Sequence, residues 1–150
     1  MNPLVPPPVI VAVIGLAMWA VDRKLEYGKF ESALQAPVAG VLLAAGLLVM
    51  FAALSSFIAA RTTVNPLRPS RASTLVMTGM FRISRNPMYL GDVLVLAALA
   101  VWLGNAINIA LLFVFVWYIN RFQIFPEERA LTELFGASYV AYCSQVRRWL

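Results

Sequence analysis

Three long stretches of this chain, residues 1–21, 32–60 and 93–120, contain no charged side chain, and the charges gather in the segments between them. Each stretch is long enough to cross hydrocarbon as a helix, at about 20 residues per crossing. The first predicts a span over residues 4–21, retained in the protein. Its start is stiffened by Pro6-Pro7-Pro8, and Pro8 suits a first helical turn. The second predicts a span over residues 37–60. The third, at about 1.5 Å per residue, would make a helix of roughly 42 Å, well beyond a bilayer core. Gly104-Asn105 inside it is a turn signal, so it divides into spans at residues 87–103 and 106–125, a tight helical hairpin. A polar helix over 126–135, stopped by Gly136, and a short amphipathic stretch over 139–149 follow.

The predicted fold class is therefore all-α. One domain, residues 1–150, forms a polytopic membrane bundle of about four transmembrane helices with short C-terminal interfacial helices. Composition agrees: 61% of residues are hydrophobic and 13% charged, and mean hydropathy is +0.78, far more apolar than a soluble chain. An even span count puts the connector 61–85 and the tail 126–150 on one side. Counting the tail from Arg121 onward, nine of the twelve basic residues then lie there, which predicts a cytoplasmic face carrying both termini, in an inner or cytoplasmic membrane. In this setting the net charge of +5 concerns topology and lipid headgroups, and no nucleic-acid partner is expected. The partners expected are the bilayer, a lipophilic acceptor and a second copy in a homodimer.

The absence of histidine removes imidazole general bases and histidine-ligated metals, and the one cysteine, Cys143, forms no disulfide within the chain. No metal site is expected. What remains falls into two constellations. At residues 84–91 a basic loop enters the third span, with Asn86 as N-cap and Pro87 as first helical residue. Amide groups there, beside Arg82 and Arg85, can hold a carboxylate or phosphate. The plainer reading is that Asn-Pro starts a helix and the arginines reach for headgroups. The second constellation is Pro126-Glu127-Glu128, where two carboxylates either meet a cation or cap a helix. Asp92 is the only acid within an apolar run; a partner such as Arg121 or Arg85 and a chemical role are both open to it.

Taken together and in this order, Thr78-Gly79-Met80-Phe81, Arg85-Asn86-Pro87-Met88-Tyr89-Leu90-Gly91, and Glu127-Glu128 with Leu131, Phe135-Gly136 and Tyr139 resemble the isoprenylcysteine carboxyl methyltransferase and phospholipid methyltransferase group of integral-membrane enzymes. The resemblance implies S-adenosylmethionine as cofactor and methyl transfer to a lipophilic acceptor, a carboxylate or an amine. It implies a cofactor site drawn from Ser73, Thr74, Leu75, Val76, Gly79, Phe81, Asn86, Pro87, Met88, Tyr89, Gly91, Glu127 and Glu128. Arg85, Glu127, Gln123 and Arg121 are the implied catalytic residues. Gln123 stands where the prenylcysteine enzymes carry a substrate-side arginine, and Ser73 and Asn86 stand where they typically carry histidine. A nicotinamide-dependent reductase resembling sterol reductases, and a non-catalytic membrane scaffold or transporter accessory, are the alternatives.

Overall fold

The computed structural model describes residues 5–60 and 74–150. Ser73 and most of the arginine-rich connector, including Arg61, Arg68 and Arg71, lie outside the described residues. The elements are α1 (Pro7–Lys24), α2 (Gln35–Ala59), a 3-10 turn (Gly79–Arg82), α3 (Pro87–Leu103), α4 (Ile107–Ile119), a π-helical turn (Asn120–Ile124), α5 (Phe125–Phe135) and α6 (Ala137–Gln145). Among the described residues there is no β-strand, only an isolated bridge between Lys29 and Asn105. Two helical segments, Gln35–Ala59 and Ile107–Phe135, are long and apolar enough to cross a membrane.

Helices α1 to α4 pack as an antiparallel bundle whose connections define its two ends. At one end, the α1–α2 link lies against the α3–α4 turn. Phe30 N–H donates to the Gly104 carbonyl at 2.8 Å and Ala106 N–H to the Gly28 carbonyl at 2.9 Å. Gly104 has φ +66° and ends α3 in the left-handed conformation, which glycine adopts without a Cβ penalty. Asn105 is buried; its Nδ2 donates to the Leu25 carbonyl at 3.1 Å and its Oδ1 accepts from Ile107 N–H at 3.0 Å. Gly104-Asn105 is thus both a turn and an anchor for the neighbouring link.

The interior holds Met18, Leu96, Phe115, Ile119 and Ile124, all fully or almost fully buried, from α1, α3 and the α4 to π-turn region. The outward faces are apolar too: Phe51 is 72% and Phe113 71% exposed, with Val41, Leu48, Trp102 and Trp117 also outward. Apolar surface on this scale suits contact with lipid or partner rather than water. Helices α2 and α3 approach closely at small residues. A Cβ built on Gly46 would lie 3.0 Å from the Gly91 carbonyl oxygen, and one on Gly91 would run into Met50. Gly91 is a packing residue between these two helices, as small residues commonly are inside membranes.

Helix α4 does not stop where the apolar run ends, as a separate tail helix would require. It continues through the π turn into α5, giving one helical segment, Ile107–Phe135. Pro126 supplies the physical reason for the widened turn, because it lacks an N–H and its ring crowds the carbonyl four residues back, at Phe122. Since Glu127 and Glu128 follow without a break, they cap no free helix end. Gly136, at φ +52°, then separates α5 from α6.

Gly91→Ala is expected to lower stability by about 1–3 kcal/mol through overpacking of α2 against α3, measured as a reduced thermal midpoint in detergent. An unchanged midpoint would remove the close crossing as a stabilising contact.

Candidate functional site

The end of the bundle opposite the Gly104 turn contains a cavity of about 280 Å³. Three segments wall it: residues 74–76 with Phe81; residues 85–89 with Asp92 on α3; and Glu127, Glu128 and Leu131 on α5. Pro7 and Pro8 of α1, Met50 and Phe57 of α2, and Tyr139 and Tyr142 of α6 close the remaining sides.

Tyr89 joins two of these walls. It is buried, and its hydroxyl donates to Glu127 Oε1 at 2.6 Å, a short bond to a carboxyl oxygen. Tyr89 and Glu127 are far apart in sequence, so the contact requires α3 to start beside the place where the π turn delivers α5. Among the described residues Glu127 has no salt bridge.

Glu128 has a different environment. Arg148 grips it in fork geometry, Nε to Oε1 at 3.0 Å and NH2 to Oε2 at 2.8 Å, and Arg85 NH1 lies 3.1 Å from Oε1. The same Arg85 nitrogen donates to Cys143 Sγ at 2.7 Å. The two glutamates therefore divide the readings of their motif: Glu128 is held by arginines, and Glu127 presents a carboxylate to the cavity with a tyrosine as its partner. Arg85 lines the cavity with its charge already engaged.

Asn86 occupies the residue before α3, but its side chain makes no cap bond. Its Nδ2 instead donates to the Arg148 carbonyl at 3.0 Å, while Arg85 N–H donates to the Arg147 carbonyl at 3.0 Å. The predicted N-cap is thus a tether for the C-terminal segment. The same segment is fixed farther on by Trp149 Nε1, which donates to Asn120 Oδ1 at 3.2 Å.

Thr74, Leu75, Val76, Phe81, Asn86, Pro87, Met88, Tyr89, Glu127 and Glu128, all singled out in the sequence, meet at this cavity. Four others lie elsewhere. Gly79 and Gly91 face α2: a Cβ on Gly79, where φ is +59°, would come 2.5 Å from Ser56 Oγ, and Gly91 meets Met50. Arg121 is exposed and stacks over Phe122, 5.7 Å from the ring centroid. Gln123 is buried inside the π turn and donates to the Val5 carbonyl at 2.6 Å, tying the segment before α1. For Asp92 neither suggested arginine is a partner: Arg85 is committed to Glu128, and among the described residues Asp92 has no salt bridge.

Residues missed in the sequence are those of α1 and α2, which are apolar on every side and so mark no inward face. The tail offered a signal. Glu127 and Leu131 are four apart and Tyr139 and Tyr142 three apart, the spacings of one helical face. Burial pushes the Tyr142 phenol up to about 12, so it stays protonated and donates to the Phe81 carbonyl at 2.7 Å.

Replacing Arg148 by Met is expected to cost about 1–2 kcal/mol in thermal or denaturant unfolding and to expose the C-terminal segment to protease. Cleavage no faster than in the wild type would show that the ion pair does not secure that segment.

With the geometry in place, comparison with known proteins gives a consistent result. A family model described as phospholipid methyltransferase matches residues 34–138, from the start of α2 into α6. A 63-residue stretch is 44% identical to an uncharacterized protein of Haemophilus influenzae, covering 42% of this chain and 100% of that protein. No solved structure matches. The family match takes in residues 74–76, the α3 start and Glu127, which line much of the cavity. By a match extending over well more than half its length, this membrane-associated chain belongs to the phospholipid methyltransferase family and is a methyltransferase.

Proposed function

We propose that the protein transfers a methyl group from S-adenosylmethionine to a lipophilic acceptor resident in the membrane. The observation that carries this reading is the Tyr89–Glu127 contact in a cavity also lined by residues 74–76. Family membership favours it over a nicotinamide-dependent reductase or a scaffold.

The residues present fit such a donor. Glu127 offers a carboxylate for its ammonium group, and the Tyr89 hydroxyl fixes the orientation of that carboxylate. Leu75, Val76, Phe81 and Met88 give an apolar wall for the nucleoside portion, with Thr74 as a hydroxyl partner. When bound, the sulfonium would supply an activated methyl group, whose carbon the acceptor attacks in line as the neutral thioether leaves. The protein's task is then to align the acceptor and exclude water, which the apolar cavity walls favour. A carboxylate acceptor needs no base, whereas an amine must first lose a proton.

In the same reading all four bundle helices cross the membrane, with the cavity end on the cytoplasmic side. The supports are the antiparallel packing, the apolar outer faces and the concentration of arginines at that end. A lipophilic acceptor then reaches the cavity sideways from the bilayer.

S-adenosylhomocysteine should bind the purified protein. Glu127→Gln should weaken binding by about tenfold to 100-fold, and Tyr89→Phe by a smaller factor, measured by isothermal titration calorimetry. No binding by the wild type, or equal binding by wild type and Glu127→Gln, overturns the donor assignment.

A further inference from the structure

Three arginine side chains at the cavity end take no part in building the cavity. Arg82, Arg121 and Arg147 are exposed, and none has a salt bridge among the described residues. Glu133, the one exposed acid at this end among the described residues, stands four positions after Arg129 on α5 and so shares that arginine's face of the helix. Exposed apolar side chains accompany the three cations: Ile83 follows Arg82, Phe122 follows Arg121, and Leu150 lies just beyond Arg147. The Arg121 guanidinium lies over the Phe122 ring. A soluble polyanion would meet the charges and leave the apolar chains in water. A phospholipid meets both, with phosphate oxygens on the guanidinium groups and acyl carbons on the apolar chains.

The three cations also come from segments bonded to one another. On one side of the tail, Arg85 N–H donates to the Arg147 carbonyl and Asn86 Nδ2 to the Arg148 carbonyl, both at 3.0 Å, which places the stretch after Arg82 against it. On the other, Trp149 Nε1 donates to Asn120 Oδ1 at 3.2 Å, next to Arg121. Like charges gathered around one stretch of chain repel one another unless an anion joins them. We propose that Arg82, Arg121 and Arg147 bind the headgroup of an anionic phospholipid, and that the bound headgroup fastens the C-terminal segment to the start of α3. Arg148, in the same segment, grips Glu128 beside Glu127, so lipid binding and the order of the cavity wall are coupled, and the coupling is reciprocal. This binding requires neither the methyl donor nor a particular side of the membrane.

The test uses full-length protein in nanodiscs of phosphatidylcholine alone, or of about three parts phosphatidylcholine to one part phosphatidylglycerol, and follows cleavage of the C-terminal segment by chymotrypsin. Cleavage of the wild type should be about fivefold or more slower in the mixed discs, because the protease samples the open population of the segment. Raised salt should remove that difference. Arg82→Gln combined with Arg147→Gln should erase it at low salt, whereas Arg23→Gln combined with Lys24→Gln, the same loss of charge at the other end of the bundle, should keep it. Thermal midpoints in phosphatidylcholine discs report folding; should the first double variant lose its transition, the wild type in the two discs still decides. Equal cleavage of the wild type in both discs, protection retained without Arg82 and Arg147, or equal loss in the Arg23 and Lys24 variant overturns the site. Equal protection by glycerol phosphate added to phosphatidylcholine discs overturns the lipid as ligand in favour of a free phosphate. None of these readings involves S-adenosylhomocysteine, whose failure to bind bears on the donor alone.

Discussion

One carboxylate, Glu128, accepts bonds from two guanidinium groups that come from separate parts of the chain: Arg85 just before α3 and Arg148 in the C-terminal segment. In half-buried surroundings each of these charges is costly alone, so pairing them favours holding the three segments together. With Glu128 held, its neighbour Glu127 is carried to a fixed place against Tyr89. The contact that defines the cavity therefore depends on an ion-pair cluster next to it. Asn86 and the backbone of Arg85 reinforce the same arrangement by bonding to the carbonyls of Arg148 and Arg147.

The π turn is the second requirement. An unbroken α-helix through residues 120–126 would carry Pro126 against the carbonyl of Phe122 and set the two glutamates at a different angle around the axis. Widening one turn relieves the proline and re-aims everything after it. It also buries Gln123, whose bond to the Val5 carbonyl fixes the segment that leads into Pro7 and Pro8. A local response to one proline thereby shapes two walls of the cavity.

Much of this was legible in the residues. Gly104-Asn105 marked the hairpin because a left-handed glycine and a turn-forming asparagine leave few alternatives, and Pro87 marked the start of α3. The pairing of the 85–91 segment with Glu127 followed from placing both at one end of an antiparallel bundle. What was hidden depends on tertiary geometry. Asn86 has the chemistry of an N-cap, but the tail carbonyl at Arg148 competes for its amide and wins. Arg121 and Gln123 sit in a segment whose phase the π turn alters, so no 3.6-residue pattern predicts that one is exposed and the other buried. Gly79 and Gly91 carry motif-like positions, yet their lack of a side chain serves the contact with α2.

The backbone bonds that join the α1–α2 link to the Gly104 turn have a mechanical meaning. They stitch all four bundle helices together at the end away from the cavity, through groups no side-chain substitution removes. At the cavity end, among the described residues, side-chain bonds of Tyr89, Tyr142 and Gln123 tie the bundle to α5, α6 and the segment before α1. The bundle is thus clamped at one end and fastened by releasable contacts at the other. A spreading of the helices about the clamped end would widen the cavity most and the Gly104 turn least.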